Sequence, residues 1–281
     1  MSYDVLSELP SDVIDGLHAG TLAPYLGPGL LLLCGVAVPP ADPLGLAAVL
    51  TAKVSVPGKI RNRLTAAAQF IENFKHRKTL VKAMDEAFAR GAEPSDLHRW
   101  IASLPSPLIV DTWYDDTLRG PLSARDDWAE IQGLSQGEHF GTWFGVYDCQ
   151  GRPRPAEDPI GERTLYYKPW GGRWPASNYL VSDSDFVEVL TEIDIQTPIP
   201  DEVQRRRASI GFVFLGCRFN DQLPRAFARQ IAKRSRGPHF AVLGEEPTRM
   251  EARFLEEQRI TRIALPLAVA ASELSRSLAA A

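Results

Sequence analysis

The stretch 209-SIGFVFLGC-217 decides the fold, because it is a continuous apolar run of strand length. Such a run is typical of a strand that is buried on both faces of a parallel sheet. The chain then continues as alternating helices and strands: a helix over 221-DQLPRAFARQIAKR-234, a strand over 239-HFAVLG-244, a helix over 247–258, a strand over 260-ITRIALP-266 and a helix from 270. This alternation predicts right-handed crossovers and a parallel sheet.

Working outward toward the N-terminus, three further strands are predicted for the same sheet. One is 22-LAPYL-26, which follows a short helix that begins at Ser11. The second is the apolar run 107–111, and the third begins the segment 164-TLYYKPWGGRWP-175. The chain is therefore predicted to be of the α/β class.

Two long stretches between these strands do not follow the sheet pattern. Residues 42–104 are helical in pattern, with apolar residues at helical spacing within 61–91. Residues 120–163 are rich in glycine, proline, charge and aromatic residues, which favours an ordered excursion over a linker. We predict a single domain over 1–281, with the sheet drawn from about 11–40, 105–118 and 164–281, a helical insertion at 42–104 and a cap insertion at 120–163.

Composition excludes several classes of protein. The hydrophobic fraction of 44% is ordinary for a globular protein, and the net charge of -4 offers no global attraction for nucleic acid or an anionic membrane. The sharpest basic run, 204-QRRRAS-209, is better interpreted as a solvated helix end than as a polyanion site. We expect neither a nucleic acid nor a membrane as partner.

Cysteine usage and the N-terminus favour a reduced, cytoplasmic protein. The three cysteines are far apart and form no CxxC pair, and no histidines have metal-ligand spacing, so no metal is expected. The N-terminal residues show no signal-peptide pattern. The apolar run 29-GLLLLCGVAVPP-40 is too short and too broken by glycine and proline to span a bilayer, and is interpreted as buried core.

Two strand ends carry candidate binding residues. Gly27, Pro28 and Gly29 follow the strand at 22–26, where glycines allow a ligand phosphate to approach the backbone, although the pattern by itself favours a plain strand-to-loop turn. Gly216, Cys217 and Asp221 follow the strand at 209–217, with Asp221 placed to begin a helix as its N-cap. Asp221 as a simple cap and Cys217 as a nucleophile without an adjacent base are the alternatives for that turn.

A third strand end, in 107-PLIVDTWYDDTLRG-120, presents Asp115 and Asp116 as candidate acid/base residues. The same turn carries Trp113 at a position where a small polar group is expected. Trp170 lies in a second glycine-containing turn, where it is either a buried structural ring or a stacking platform for a base. Among the histidines, His139 in 137-GEHFGTW-143 is the one predicted to lie in a cap loop and to be a candidate for catalysis.

Taken in order, six segments resemble the prokaryotic sirtuin-like domain, a family best known from NAD-consuming antiphage defence proteins. The segments are 16-GLHAGTLAPYLGPGL-30, 65-TAAAQFIENF-74, 95-SDLHRWIASLPSPLIVDTWYDDTL-118, 166-YYKPWGG-172, 176-ASNYLVSDSDFVEVL-190 and 213-VFLGCRFNDQLPRAF-227. The resemblance implies a Rossmann-like parallel sheet with a helical insertion and a cleft for NAD or an ADP-ribose-like nucleotide. It implies that Gly27, Pro28 and Gly29 approach the diphosphate and that Gly216, Cys217 and Asp221 flank the adenosine half.

The sequence departs from the family pattern after the first glycine pair, where Leu30 or Leu31 replaces a small polar residue, and at two catalytic positions. Trp113 stands where the family has a catalytic Asn near the nicotinamide ribose, and Trp170 stands where it has the catalytic His. Indole cannot accept a proton and donates only one N–H. The resemblance therefore implies a catalytically impaired sirtuin-like protein that binds a nucleotide as a sensor or regulatory subunit, or acts through protein contacts, as a homo-oligomer or with a partner protein.

Two alternatives to that interpretation remain open at this point. One is an active NAD glycohydrolase of the antiphage-defence type that uses Asp115, Asp116 or His139. The other is a scaffold subunit whose cleft is plugged by the two indoles, Trp113 and Trp170.

Overall fold

A computed structural model describes residues 4–35, 39–192 and 199–277. The strands are β1 (Val5–Leu6), β2 (Leu22–Leu26), β3 (Leu108–Asp111), β4 (Trp128–Gly133), β5 (Phe144–Asp148), β6 (Pro153–Arg154), β7 (Thr164–Lys168), β8 (Gly171–Gly172), β9 (Asn178–Tyr179), β10 (Gly211–Leu215), β11 (His239–Val242) and β12 (Ile260–Ile263). The α-helices are α1 (Ser11–His18), α2 (Pro43–Lys53), α3 (Leu64–Lys75), α4 (Arg77–Ala87), α5 (Asp96–Ser103), α6 (Arg119–Leu122), α7 (Asp183–Glu192), α8 (Asp201–Arg207), α9 (Gln222–Ala232), α10 (Arg249–Glu257) and α11 (Leu267–Arg276), and a 3₁₀-helix spans Pro28–Leu33.

Ten of these strands form one sheet in the order β1-β12-β11-β10-β2-β3-β7-β4-β5-β6. All neighbours from β1 to β4 are parallel, and β5 and β6 complete the sheet as antiparallel strands. The predicted α/β class with a mostly parallel, Rossmann-like sheet is therefore confirmed.

The stretch 209–217 contains the buried strand that its apolar pattern predicts. Every residue of β10 is buried, and α9 packs Phe227, Ala228 and Ile231 inward. The Asp221 carboxylate accepts a hydrogen bond from the backbone N–H of Gln222, so this residue is an N-cap. Apolar side chains from both faces of the sheet form two clusters, and the helices on each face cover them.

The chain reverses its direction of sheet growth at β2. The strands β3 and β7 lie on one side of β2, and β10, β11 and β12 lie on the other. In open α/β sheets, ligand clefts lie at such a switch point, outside the carboxyl ends of the strands. The loops that follow β2 and β10 therefore border the candidate cleft.

The region 120–163 differs from its predicted role as a cap, because three of its segments are sheet strands. The strand β4 pairs in parallel with β7, and β5 and β6 extend the sheet beyond it. The apolar pattern does not reveal β4, because two of its fully buried residues are Glu130 and Gln132. Both are tolerated in the core because they bond to each other and Glu130 pairs with Arg119.

The basic run at 204–209 also differs from its interpretation as a solvated helix end. Arg206 and Arg207, the last residues of α8, are buried. The Arg206 guanidinium donates hydrogen bonds to the backbone carbonyls of Pro107, Ile160, Glu162 and Arg163. It joins α8 to the segments that precede β3 and β7.

No helix in the described ranges has both the length and the apolar character needed to cross a membrane. Within those same ranges, no three histidine, cysteine or acidic side chains gather closely enough to hold a metal ion.

Candidate functional site

The two loops at the switch point are hydrogen-bonded directly to each other. The Gly27 N–H donates to the Leu215 carbonyl at 2.9 Å, and the Gly29 N–H donates to the Gly216 carbonyl at 3.0 Å. A diphosphate would have to be bound by donors such as these. In this conformation, both are engaged by the protein.

The glycines explain how the loops come so close. A Cβ atom at Gly27 would lie 2.6 Å from the Gly216 carbonyl oxygen, and one at Gly29 would lie 2.8 Å from the same atom. Gly216 has φ of 67°, and a Cβ there would lie 2.4 Å from the Leu30 nitrogen. The glycines serve the contact between two loops of this chain, and their predicted contact with a nucleotide remains a prediction.

Trp113 is fully packed at the carboxyl end of β3. Its side chain is 1% exposed, and its ring contacts Phe88 from the helical insertion and the neighbouring Tyr114. The indole N–H donates to the Pro40 carbonyl at 2.7 Å. The only hydrogen-bond donor of the side chain is therefore already paired.

Trp170 follows β7 and packs into the same cluster. The side chain is 6% exposed and makes edge contacts with Phe186 of α7 and Phe227 of α9 at centroid distances of 5.5 and 5.6 Å. Tyr114 lies between the two tryptophans, 5.1 Å from the Trp113 ring and 6.3 Å from the Trp170 ring. The Trp170 indole N–H is buried and has no hydrogen-bond partner within the described ranges.

The two indoles thus belong to one apolar cluster that fills the space between the strand ends and the insertion helices. Its other buried members include Leu46 and Leu50 of α2, Ile71 of α3 and Met84 of α4. The helical insertion is packed against the strand ends and does not stand away from them as an open lid.

A family model described as the SIR2-like domain matches residues 107–263, which is more than half of the chain. The chain belongs to the SIR2-like domain family. The matched segment begins at β3 and ends with β12, so it contains both tryptophan positions and the loop after β10. Members of this family are generally NAD-related. A comparison with curated proteins gives no match.

A small pocket lies at the end of β2. Its polar lining consists of His98, Asp111 and Asp115 beside Gly27, and Leu26, Leu30, Leu31 and Leu118 supply the apolar lining. The free space inside it has room for about one water molecule. A nicotinamide ring does not fit without movement of the surrounding side chains.

The lining residue Asp111 belongs to a buried ion pair. The Lys168 ammonium donates to Asp111 Oδ2 at 2.8 Å and to the Asp115 carbonyl at 2.9 Å, and the Tyr166 hydroxyl donates to the same Asp111 oxygen. Burial raises the pKa of Asp111, and the Lys168 ammonium opposes that rise. The Asp111 carboxylate in turn holds the pKa of Lys168 above its ordinary value, against the effect of burial.

His98 enters the pocket from α5 as a neutral side chain. It is 2% exposed, and its Nδ1 lies 2.7 Å from the Ser95 hydroxyl, within the N-terminal cap of the helix. Burial lowers the pKa of His98 to about 4. Sequence reasoning does not single out this histidine or Asp111, because nothing in their local patterns shows that α5 brings its N-terminus against the end of β3.

The predicted acid/base residues lie in different surroundings. Asp115 is buried, lines the pocket and accepts a hydrogen bond from the Thr117 N–H, whereas Asp116 is half-buried and pairs with Arg173. His139 is exposed in the loop between β4 and β5, and within the described ranges its side chain makes no hydrogen bond to either aspartate. The structure brings Asp115 to the pocket but does not bring His139 to it.

The predicted adenosine-side residues lie around the loop after β10. The Cys217 thiol is buried, burial raises its pKa, and it faces the carbonyls of Tyr25 and Leu215. A thiol with a raised pKa is a poor nucleophile near neutral pH. Asp221 is exposed, and Pro28 and Gly29 are half-buried, so this side of the cleft is the more accessible one.

Proposed function

We propose that this SIR2-like protein does not cleave NAD and works with its cleft closed, as an interaction subunit. The observation that carries the proposal is the burial of Trp113 and Trp170 in a single apolar cluster. By resemblance, these two positions correspond to those that carry the catalytic Asn and His in the NAD-cleaving family members. Here they hold rings that stabilise the packing of the insertion on the sheet.

The chemistry of the indole supports the loss of activity. Neither ring can accept a proton, and the N–H of Trp113 is engaged by a backbone carbonyl. The carboxylates at the same strand end, Asp111 and Asp115, are held by Lys168, Tyr166 and the Thr117 amide. Lys168, Tyr166 and the Thr117 amide anchor the two carboxylates at the end of β3, and Lys168 neutralises Asp111, so the role of these contacts is structural.

A second candidate function is a nucleotide sensor in which NAD or ADP-ribose opens the cleft. One observation favours it: the Trp170 N–H is buried and has no hydrogen-bond partner among the described residues, which costs about 1–3 kcal/mol. Moving Trp170 outward would recover that free energy in part. The more accessible loops at Gly29 and Asp221 would receive the nucleotide first.

The resemblance to antiphage defence proteins supports a role in defence for both candidates. A subunit without turnover would contribute to such a defence system through a partner protein, or through a second copy of this chain. That partner, rather than this chain, would carry the chemistry.

Nicotinamide release from NAD tests the proposal. The wild-type protein is expected to release none above a no-protein blank in a chromatographic assay. Trp170→Phe serves as a matched control that keeps a ring, and Trp170→His places the family's catalytic residue in the cluster. Release by the wild type that is lost in Asp115→Ala would contradict the proposal and establish the alternative glycohydrolase.

A further inference from the structure

The helical insertion carries an excess of positive charge in an acidic protein. Residues 42–104 contain ten Lys and Arg against six Asp and Glu, a net charge of +4 in a chain whose net charge is -4. The rest of the chain is therefore strongly acidic. Such an asymmetry points to an interaction surface on the insertion.

Most of this positive charge is not neutralised within the protein. Lys53 and Lys82 pair with Glu86, and Arg77 pairs with Glu72, Glu138 and Asp185. Six further basic residues are exposed and make no ion pair within the described ranges: Lys59, Arg61, Arg63, Lys75, Lys78 and Arg90.

An apolar feature lies among these charges on α3. The rings of Phe70 and Phe74 stack at a centroid distance of 4.4 Å and an interplanar angle of 29°. Phe74 is 65% exposed, which is unusual for a phenylalanine on a helix whose opposite face is well packed. Ala67, Ala68 and Ile71 form that packed face. Phe70 is half-buried and packs against the same apolar cluster, so the exposed Phe74 ring extends that cluster toward solvent.

Helical spacing places a cation on the same line as the rings. Arg63, at the N-cap, precedes Phe70 by seven residues and Phe74 by eleven, so all three lie on one side of the helix. They cover about 16 Å along the helix axis. Lys75 and Lys78 lie just beyond Phe74, at the turn into α4.

We infer that this surface, the basic aromatic face (Arg63, Phe70, Phe74, Lys75 and Lys78), binds an acidic amphipathic helix of a partner protein. The inference rests on the proposed function as an interaction subunit and assigns the surface that such a subunit would use. Apolar side chains of the partner helix pack on the stacked rings, and its carboxylates pair with the basic residues at either end.

Charge complementarity favours a helix over a nucleic acid as the occupant. A long polyanion would be repelled by the acidic remainder of the chain, whereas a short helix meets only the local positive field. The ridge formed by side chains at spacings of seven and four residues also suits packing against another helix.

Fluorescence anisotropy with synthetic probes tests the inference on the full chain. The probes are a labelled helical peptide of about 20 residues with leucines on one face and glutamates on the others, the same peptide with glutamine in place of glutamate, and an oligothymidylate of similar length. Binding of the glutamate peptide alone, weakened at least about tenfold by high salt, is expected. Equal binding of the glutamine peptide, or binding of the oligothymidylate alone, would overturn the inference.

Matched variants locate the site. Phe74→Ser and the pair Arg63→Glu with Lys78→Glu are each expected to weaken peptide binding about tenfold. The charge-reversed residues lie near helix N-termini, where glutamate is well tolerated. The control pair, Arg236→Glu with Arg249→Glu, changes the net charge equally at exposed positions elsewhere and is expected to leave affinity within about twofold.

Two further outcomes would also overturn the inference. The first is equal weakening by the control pair, which would show a general charge effect. The second is a concentration-dependent dimer in light scattering that Phe74→Ser dissociates, which would make the occupant a second copy of the chain. None of these measurements involves NAD. They therefore test the binding surface separately from the proposal that the protein does not cleave NAD.

Discussion

At the scale of single residues, the two tryptophans differ in one respect that can be measured. The Trp113 N–H donates to the Pro40 carbonyl at 2.7 Å, whereas the Trp170 N–H is buried without a partner within the described ranges. Replacing either ring by phenylalanine removes comparable apolar area. The difference between the two replacements therefore isolates the hydrogen bond.

We expect Trp113→Phe to destabilise the protein by about 1–2 kcal/mol more than Trp170→Phe, because only the former leaves an acceptor unpaired. Urea unfolding of the three proteins measures this, with equal m-values confirming comparable unfolding transitions. Phe140→Ala, at a side chain that is 94% exposed, is the control and should change stability by less than about 0.5 kcal/mol. An equal or larger loss in Trp170→Phe would show that the Trp113 hydrogen bond contributes little.

His98 gives the pocket a defined pH dependence. Its pKa is lowered by burial to about 4, so the unfolded chain takes up a proton at higher pH than the folded protein does. The contribution to stability is present above about pH 6.5 and is lost as the pH falls toward 4.

We expect the wild type to lose on the order of 3 kcal/mol relative to His98→Gln between these pH values. Denaturation midpoints at several pH values measure the difference, and His139→Gln, at an exposed loop, serves as the control. Parallel pH curves for the wild type and His98→Gln would mean that the pocket admits enough water to solvate the imidazolium.

At the scale of secondary-structure elements, Arg206 connects α8 to the sheet through four backbone carbonyls. A lysine ammonium is a compact charge and cannot reach the same set of acceptors. We expect Arg206→Lys to cost about 2–4 kcal/mol of stability. The neighbouring Arg205 is exposed, and Arg205→Lys should be nearly neutral in the same thermal or chemical unfolding experiment. A similar small effect at both positions would contradict the role assigned to Arg206.

The elements that the sequence predicts well are those whose apolar pattern matches their environment. β10 is buried on both faces and reads as a continuous apolar run, and α9 and α10 carry clear caps at Asp221 and Thr248. β4 is missed because Glu130 and Gln132 occupy core positions. Their partners, Arg119 and the Trp174 carbonyl, are brought by other parts of the chain.

The same limit applies to the candidate site. Glycines and aspartates at strand ends are visible in the sequence, and the fold does place Gly27 and Asp115 at one pocket. His98 and the Lys168–Asp111 pair depend on contacts between α5, β3 and β7, which no local pattern specifies. The unusual Trp113 and Trp170 are visible too, but only packing shows that they share a cluster.

At the scale of the whole molecule, the SIR2-like sheet has a switch point at β2, but the cleft at that point is closed. Loops that follow β2 and β10 bond to each other, and the insertion helices pack against the strand ends through Trp113, Tyr114 and Trp170. The insertion also presents the basic aromatic face on its outer side. The same insertion would thus close the cleft on one side and contact a partner on the other.

A thermal-shift titration of the purified protein with NAD and ADP-ribose tests the closed cleft most directly. A ligand that binds the folded state raises the melting temperature by mass action. The account predicts a shift below about 1 °C at a few millimolar of either nucleotide. A saturable shift of several degrees would contradict the closed cleft and establish the sensor, in which the indoles move aside to admit the nucleotide.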